Sequence, residues 1–300
     1  MNEACVMSKL LLSRSTVLDI DKRIARVLNE IGNPQPPVPH ELIREVLRLD
    51  MEYFQKDDPG IFSEVWSRLK RSTKQIIQRP SLLKEILEQR SLKAAYLPDA
   101  KRIYVSEDLP PIKKRWGETH ECVHGLLPWH KNYMLGDDSH TLTQACIDKL
   151  EAEANYGTGR FLFAGSRFAE ELADLPQNIS TAVSLSKAYK NSIESTLWRI
   201  VESSDEEPNF AYIRPVMPVT GADPSEVKFI KSEKFSKQFS NITSIEIQEI
   251  VDSYINLRRR FYVGDTERML ADVNGDAHCF HFETINNSYS FLTLATVIPF

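Results

Sequence analysis

The first half of the chain alternates amphipathic helical patterns with short apolar segments of strand type. Apolar residues recur every three or four positions up to Ile31, which predicts a helix that Ser15 or Thr16 can cap. A second helix is predicted over His40–Leu49 and a short strand over Met51–Phe54.

Helical patterns continue to about Arg79 and over residues 80–89, and a predicted β-hairpin follows them. The strands of this hairpin are Leu92–Leu97 and Arg102–Val105, separated by a short turn that contains proline and aspartate. An extended peptide can bind along an exposed strand edge. The hairpin is therefore relevant to function if it lies beside a catalytic helix.

The last third of the chain has a different pattern, in which apolar and polar residues alternate as in strands. One helix is predicted over Thr243–Arg260, and turns are predicted at Asn274-Gly275 and Asn286-Asn287. The predicted strands are Ala211–Val219, Val227–Ile230, Arg268–Val273, His278–Thr284 and Ser288–Val297. These elements predict a small α+β module over residues 209–300.

Two short helices are predicted between residues 178 and 203, and the polar, acidic segment Ser203–Pro208 after them is typical of a linker. The predicted fold class is therefore α+β, in three parts. A mainly helical domain with a small sheet spans residues 13–176, a helix-turn-helix-like segment spans 177–203, and the module over 209–300 ends the chain.

Composition excludes several classes of protein. The chain of 300 residues is 42% hydrophobic, enough for a packed core, and its net charge of −5 gives no general basic field for nucleic acid. It has no apolar run of about 18 residues, so no membrane span is expected. Its four cysteines form no C-x-x-C pair and no disulfide framework, which indicates reduced thiols and a cytoplasmic location.

A helix predicted over Pro111–Leu127 carries the motif H-E-x-x-H, formed by His120, Glu121 and His124. Residues four apart lie on one face of a helix, so the two imidazoles can bind one metal ion from the same side. Glu121 lies about 100° around the helix, where its carboxylate can reach a metal-bound water. Cys122 points away from this face and is expected to be a buried structural thiol.

A catalytic zinc site needs a third protein ligand and an open position. The predicted helix Thr141–Phe163 carries Glu151, the best candidate for that ligand. Asn155, one turn later, can hydrogen-bond the free ring nitrogen of a ligand histidine. The predicted cofactor is Zn²⁺. The alternative is that His120 and His124 are surface residues of an amphipathic helix that binds no metal.

At these residues the chain resembles the ImmA/IrrE family of metallo-endopeptidases. The stretch Lys113–Thr119 that leads into H-E-x-x-H matches the family, as does Glu151–Asn155, and a looser similarity covers about residues 13–203. The resemblance implies a zincin-like core over the first domain and zinc-dependent cleavage of helix-turn-helix repressors, which releases genes from repression. One type of family member carries a sensory domain of the GAF kind at its end, which implies a sensory or regulatory role for residues 209–300.

By this resemblance the zinc ligands are His120, His124 and Glu151, and the general base is Glu121. The chain departs from the family in two places. The family usually has glycine before the second histidine, where this chain has Val123, and a further histidine four residues after it, where this chain has His130 six residues after. Neither change affects a ligand, so they bear on substrate fit and loop shape.

Three functions compete at this point. The first is a zinc endopeptidase that cleaves a helix-turn-helix repressor. The second is a non-proteolytic regulatory protein with a structural or vestigial zinc site, and the intact Glu121 argues against it because a structural site needs no base. The third is a DNA-binding regulator. Its second short helix sets Arg199 against Glu194 and Glu202, which suits phosphate poorly, so direct nucleic-acid binding is not expected.

The predicted partner is thus a protein substrate, with no membrane partner, and the oligomeric state stays open. A further donor should stabilise the oxyanion during hydrolysis. Its candidates, by sequence proximity only, are Tyr156, His130, His140 and Arg160.

Overall fold

The structure is a computed structural model that describes residues 12–55, 94–97, 101–130, 144–204, 206–216, 227–256, 258–259 and 261–298. The helical patterns predicted up to Arg79 and over residues 80–89 lie largely or wholly outside these ranges. The described chain packs as two compact units, which divide between Gly165 and Ser166. Among the helices described, none has the length and apolar character needed to cross a membrane.

The first unit combines helices with a three-stranded sheet. Its elements are α1 (Arg14–Glu30), α2 (His40–Leu47), β1 (Asp50–Phe54), β2 (Ala94–Leu97), β3 (Arg102–Ser106), α3 (Pro111–Leu126) and α4 (Gln144–Leu162). The central strand β3 pairs in parallel with β1 and antiparallel with β2, which confirms the predicted hairpin. The mixture of helix and sheet confirms the α+β class.

The helices begin and end at positions determined by neighbouring residues in the sequence. α1 begins after Ser13, whose hydroxyl accepts a hydrogen bond of 3.1 Å from the backbone N–H of Thr16. α3 begins with Pro111, because a proline ring suits the first helical position, where no N–H is needed. The helix ends before Leu127, which is extended because the following Pro128 disfavours helical backbone there.

Helices and sheet of this unit share one apolar core. α3 packs against α4, β2 and β3, so the core fixes the helix that carries H-E-x-x-H from two sides. Full burial of one large aliphatic side chain stabilises a fold by about 1.5–3 kcal/mol. Buried members of the core include Ile20, Ile24, Val27, Ile43, Ile103, Val105, Val123, Leu127 and Phe161.

The second unit is built around a five-stranded antiparallel sheet. Its elements are α5 (Arg167–Ala173), α6 (Ile179–Ala188), α7 (Ile193–Ser203), β4 (Phe210–Pro215), β5 (Lys228–Lys231), α8 (Glu233–Gln238), α9 (Ser244–Tyr254), β6 (Tyr262–Ala271), β7 (Ala277–Asn286) and β8 (Ser290–Val297). The strand order is β5-β4-β8-β7-β6. The sheet therefore leaves β5 and β6 as its edges.

Aromatic rings fill the space between this sheet and helices α8 and α9. The rings of Phe210 and Phe235, for example, lie 4.7 Å apart between centroids. The cluster comprises Phe210, Phe229, Phe235, Phe239, Phe280 and Phe282. Such contacts stabilise the unit beyond simple burial of area, because ring edges meet ring faces.

Helices α6 and α7, which the sequence treats as a separate segment, contact the same sheet. α6 contacts β7, and α7 contacts β4 and β5. At the start of α6, the Glu283 carboxylate of β7 accepts a hydrogen bond of 3.0 Å from the backbone N–H of Ile179. Ser204, which follows α7, donates to the side-chain oxygen of Gln177 at 2.8 Å. These contacts place both helices within the second unit.

Helix α9 is shorter than the sequence predicts. It ends at Tyr254 rather than Arg260, because Ile255 is already extended. The N–H of Asn256 then donates to the carbonyl of Val263 at 2.7 Å, which turns the chain back toward the sheet.

Strand β6 begins earlier than predicted, at Tyr262 rather than Arg268. It is an edge strand, and polar residues such as Asp265 and Glu267 are exposed on it, so apolar alternation does not show its first half. The short helices α5 and α8 were also not predicted, because six or seven residues carry too little periodicity.

Fragments that end at different residues test the division into units. A fragment ending at Gly165 keeps the whole core of the first unit, so we expect it to fold and to melt cooperatively. A fragment ending at Ser204, the limit suggested by sequence, also keeps α7 but loses the strands that α7 contacts. We expect this longer fragment to aggregate. Circular dichroism melting and gel filtration measure both, and an unfolded shorter fragment would show that the units fold interdependently.

Candidate metal centre

His120 and His124 on α3 direct their Nε2 atoms into the same space. The two atoms lie 3.2 Å apart, as expected for imidazoles one helical turn apart on one face. His124 is buried and His120 is half-buried, so protein surrounds most of the pair. The arrangement places both ring nitrogens within reach of one metal ion.

Helix α4 brings the carboxylate of Glu151 to the same space. Its Oε2 lies 3.3 Å from Nε2 of His120, and its Oε1 lies 3.8 Å from Nε2 of His124. Ligands held about 2.0–2.1 Å from a tetrahedral zinc ion are separated from one another by about 3.3 Å. The separations of 3.2 and 3.3 Å are close to this value and the separation of 3.8 Å is longer, so the three side chains form a group that could hold a metal ion. Within the described ranges it is the one group of three such side chains found.

Glu121 lies beside His120 on α3 and is buried, with 7% of its surface exposed. A carboxylate held near a metal can accept a proton from an attacking water. Helices α3 and α4 pack against each other, so all four residues predicted from the motif and its partner helix belong to one pair of facing helices.

The close approach of α3 and α4 depends on a glycine. A Cβ atom added at Gly157 of α4 would lie 2.7 Å from Cγ1 of Val123, a distance that real Cβ atoms do not reach. Val123 is fully buried in the core. The valine that departs from the family pattern is therefore accommodated by a missing side chain on the facing helix. Its neighbour Cys122 is also buried, and burial raises the pKa of its thiol, as the sequence-based expectation of a structural thiol requires.

His130 joins the site from beyond the end of α3. Its Nδ1 lies 2.9 Å from Nδ1 of His124, and its Nε2 lies 2.8 Å from Oε2 of Glu153. The indole N–H of Trp129 donates to the same carboxylate oxygen at 2.6 Å. Burial alone would raise the pKa of Glu153, but the hydrogen bonds from His130 and Trp129 outweigh it and the pKa lies below its usual value.

Sequence reasoning did not assign this role to His130 or Glu153. In the sequence, His130 is a departure from the family pattern and a candidate oxyanion donor, and nothing in the pattern distinguishes Glu153 between Glu151 and Asn155. Asn155 itself is half-buried on α4, one turn after Glu151. The ring nitrogen Nδ1 of His124 faces His130. A hydrogen bond from Asn155 to a ligand histidine stays a prediction.

The buried carboxylate of Glu118 connects α3 to strand β1 and helix α2. Glu118, two residues before His120, accepts a hydrogen bond of 2.9 Å from the hydroxyl of Tyr53 on β1. Its other oxygen lies 2.9 Å from Nε2 of His40, at the start of α2. Burial would raise the pKa of Glu118, but His40 and Tyr53 together hold it below its usual value. The helix that carries H-E-x-x-H is thereby held by contacts to both α2 and the sheet.

The four candidate donors for the oxyanion differ in their surroundings. Tyr156 is buried and its hydroxyl donates to Asp21 of α1 at 3.0 Å, and Arg160 forms an ion pair with the same carboxylate at 2.6 Å. His130 is held between His124 and Glu153. His140 lies outside the described residues. Three of the four candidates therefore already have partners within the fold.

Comparison of the sequence with protein-family models gives no match, and comparison with curated proteins gives none either. Among solved structures, the chain is similar to one described as a transcriptional regulator of Mycobacterium tuberculosis. The TM-score is 0.54 and the identity 13%, over 93% of this chain and 88% of the other. At this identity the similarity concerns the fold alone.

Proposed function

We propose that this chain is a zinc-dependent endopeptidase. The observation that carries the proposal is the convergence of two Nε2 atoms and one carboxylate at separations of 3.2–3.8 Å, with a buried glutamate next to the first histidine. A purely structural site has four protein ligands, whereas the part of the chain that the structure describes brings three donors together. We infer that the remaining position takes water and substrate.

Each residue of the proposed site has a separate role in hydrolysis. His120, His124 and Glu151 would hold zinc, which when bound polarises the scissile carbonyl and lowers the pKa of a water molecule. Glu121 takes a proton from the attacking water and passes it to the leaving nitrogen. Glu121 and His124 are buried, which limits the access of bulk water to them and strengthens these electrostatic interactions.

The substrate class rests on the resemblance to ImmA/IrrE peptidases, and a helix-turn-helix transcriptional repressor is the partner we propose. A role in transcription control also agrees with the description of the Mycobacterium tuberculosis protein of similar fold. The described cysteines Cys122, Cys146 and Cys279 form no disulfide, and a cytoplasmic location is part of the proposal.

Direct cleavage tests the proposal. Zinc-loaded protein is incubated with helix-turn-helix repressors encoded near its own gene, and the products are identified by mass spectrometry. We expect one cut in one repressor, absent after zinc removal and restored by zinc. Tight binding of a repressor without any cut would favour instead the non-proteolytic regulatory protein.

A further inference from the structure

We infer that His130 and Glu153 are positioning residues that hold His124 in the one tautomer able to bind the metal through Nε2. The inference rests on the proposed metal site and extends it beyond the three ligands. It starts from a row of buried polar atoms that begins at His124 and ends at Trp129.

The direction of each hydrogen bond follows from the chemistry of the groups. An indole N–H can only donate, so Oε2 of Glu153 is an acceptor from Trp129 at 2.6 Å. The same oxygen faces Nε2 of His130 at 2.8 Å, and a carboxylate accepts, so this nitrogen carries the proton of His130. A neutral imidazole has one N–H, which leaves Nδ1 of His130 as an acceptor.

For a neutral His130, whose one N–H faces Glu153, the direction of the next contact follows. Nδ1 of His130 lies 2.9 Å from Nδ1 of His124, and because the first accepts, the second must donate. A neutral His124 with its proton on Nδ1 carries its lone pair on Nε2. That atom is the one that faces Nε2 of His120 at 3.2 Å and Glu151 at 3.8 Å.

Burial makes this arrangement effective. His130 has no exposed surface and Glu153 has 2%, so water cannot replace either partner. A buried polar group that loses its partner costs about 1–3 kcal/mol, which resists rotation of the rings or exchange of tautomers. The opposite polarity would put a proton on Nε2 of His124 and block the metal position. These contacts therefore set the tautomer of His124 in the zinc-free protein.

Zinc affinity of the full-length chain tests the inference. His130→Phe keeps a ring but removes both hydrogen bonds, and Glu153→Gln keeps the shape but weakens the acceptor. We expect the affinity for zinc, measured by competition with a chromophoric chelator, to fall by about 10–100-fold in His130→Phe and by less in Glu153→Gln. His278→Phe is the matched control. It also removes a histidine next to a carboxylate, Asp272 at 3.3 Å, but in the second unit, and we expect unchanged affinity.

A spectroscopic measurement separates positioning from general loss of structure. Side-chain ¹⁵N shifts of His124 in the zinc-free protein should report a proton on Nδ1 in the wild type and a mixture of tautomers in either variant. If His130→Phe fails to fold by circular dichroism, Glu153→Gln carries both measurements. Wild-type affinity together with a wild-type tautomer in the folded variants would overturn the inference and leave the proposed function standing. Absence of zinc binding by the wild type would overturn both.

Discussion

Glu121→Gln should leave zinc bound and remove hydrolysis. The amide is nearly the same size as the carboxylate, so the buried position of Glu121 on α3 is still filled and His120 keeps its place. The amide cannot accept a proton from the attacking water. General-base catalysis contributes about 10²–10⁴-fold, so we expect the cleavage rate to fall by at least that factor.

The measurement pairs metal analysis with cleavage assays on the same sample. Glu45→Gln, an exposed glutamate on α2 in the same unit, is the matched control and should cleave as the wild type does. A Glu121→Gln protein with full zinc content and undiminished turnover would remove Glu121 as the general base and leave the metal site intact.

Glu151→Ala should release the metal. The substitution removes the only carboxylate among the three converging donors, and two imidazoles leave zinc short of protein ligands. Loss of a residue that hydrogen-bonds a metal ligand already lowers metal affinity by about 10–100-fold. Loss of a ligand itself should therefore lower zinc affinity by more than about 100-fold. The side chain of Glu151 is 25% exposed, so its removal leaves no large cavity and the melting temperature of the zinc-free protein should change little.

Asn155→Ala, one turn later on α4, provides the comparison. If Asn155 supports a ligand histidine as the sequence predicts, its loss should lower zinc affinity by a smaller factor than loss of Glu151. Zinc content after gel filtration and chelator competition measure both variants. Should metal and cleavage survive in Glu151→Ala, the third ligand has been assigned to the wrong residue.

The grouping of His120, His124 and Glu151 could be predicted because two of the three residues are neighbours on one helix. His120 and His124 are one turn apart on a single helix, and Glu151 lies on the next predicted helix. The contacts of Glu153 could not be predicted in the same way. Charged residues in a pattern such as Glu-Ala-Glu are usually exposed, and only the packing of α4 against the segment after α3 shows that Glu153 is buried.

In the second unit, too, long-range contacts could not be predicted from the sequence. Its strands could be predicted from alternation, apart from the polar edge strand β6. The strand order and the contact of α7 with β4 and β5 are long-range, since no residue spacing encodes which strands become neighbours. The sequence therefore suggested a boundary at the acidic linker, while the packing groups the helices before it with the sheet after it.

The contact between Val123 and Gly157 constrains how this site can evolve or be transplanted. All the side-chain volume at that level of the two helices comes from position 123, and none from 157. Any side chain gained at 157 forces the helices apart unless position 123 shrinks, whereas a glycine at 123 alone leaves a void. The side chains at positions 123 and 157 therefore compete for the same space. A larger residue at 157 requires a smaller one at 123, so the two positions are expected to change together. A designer who grafts this H-E-x-x-H helix into another scaffold must bring the glycine of the facing helix with it.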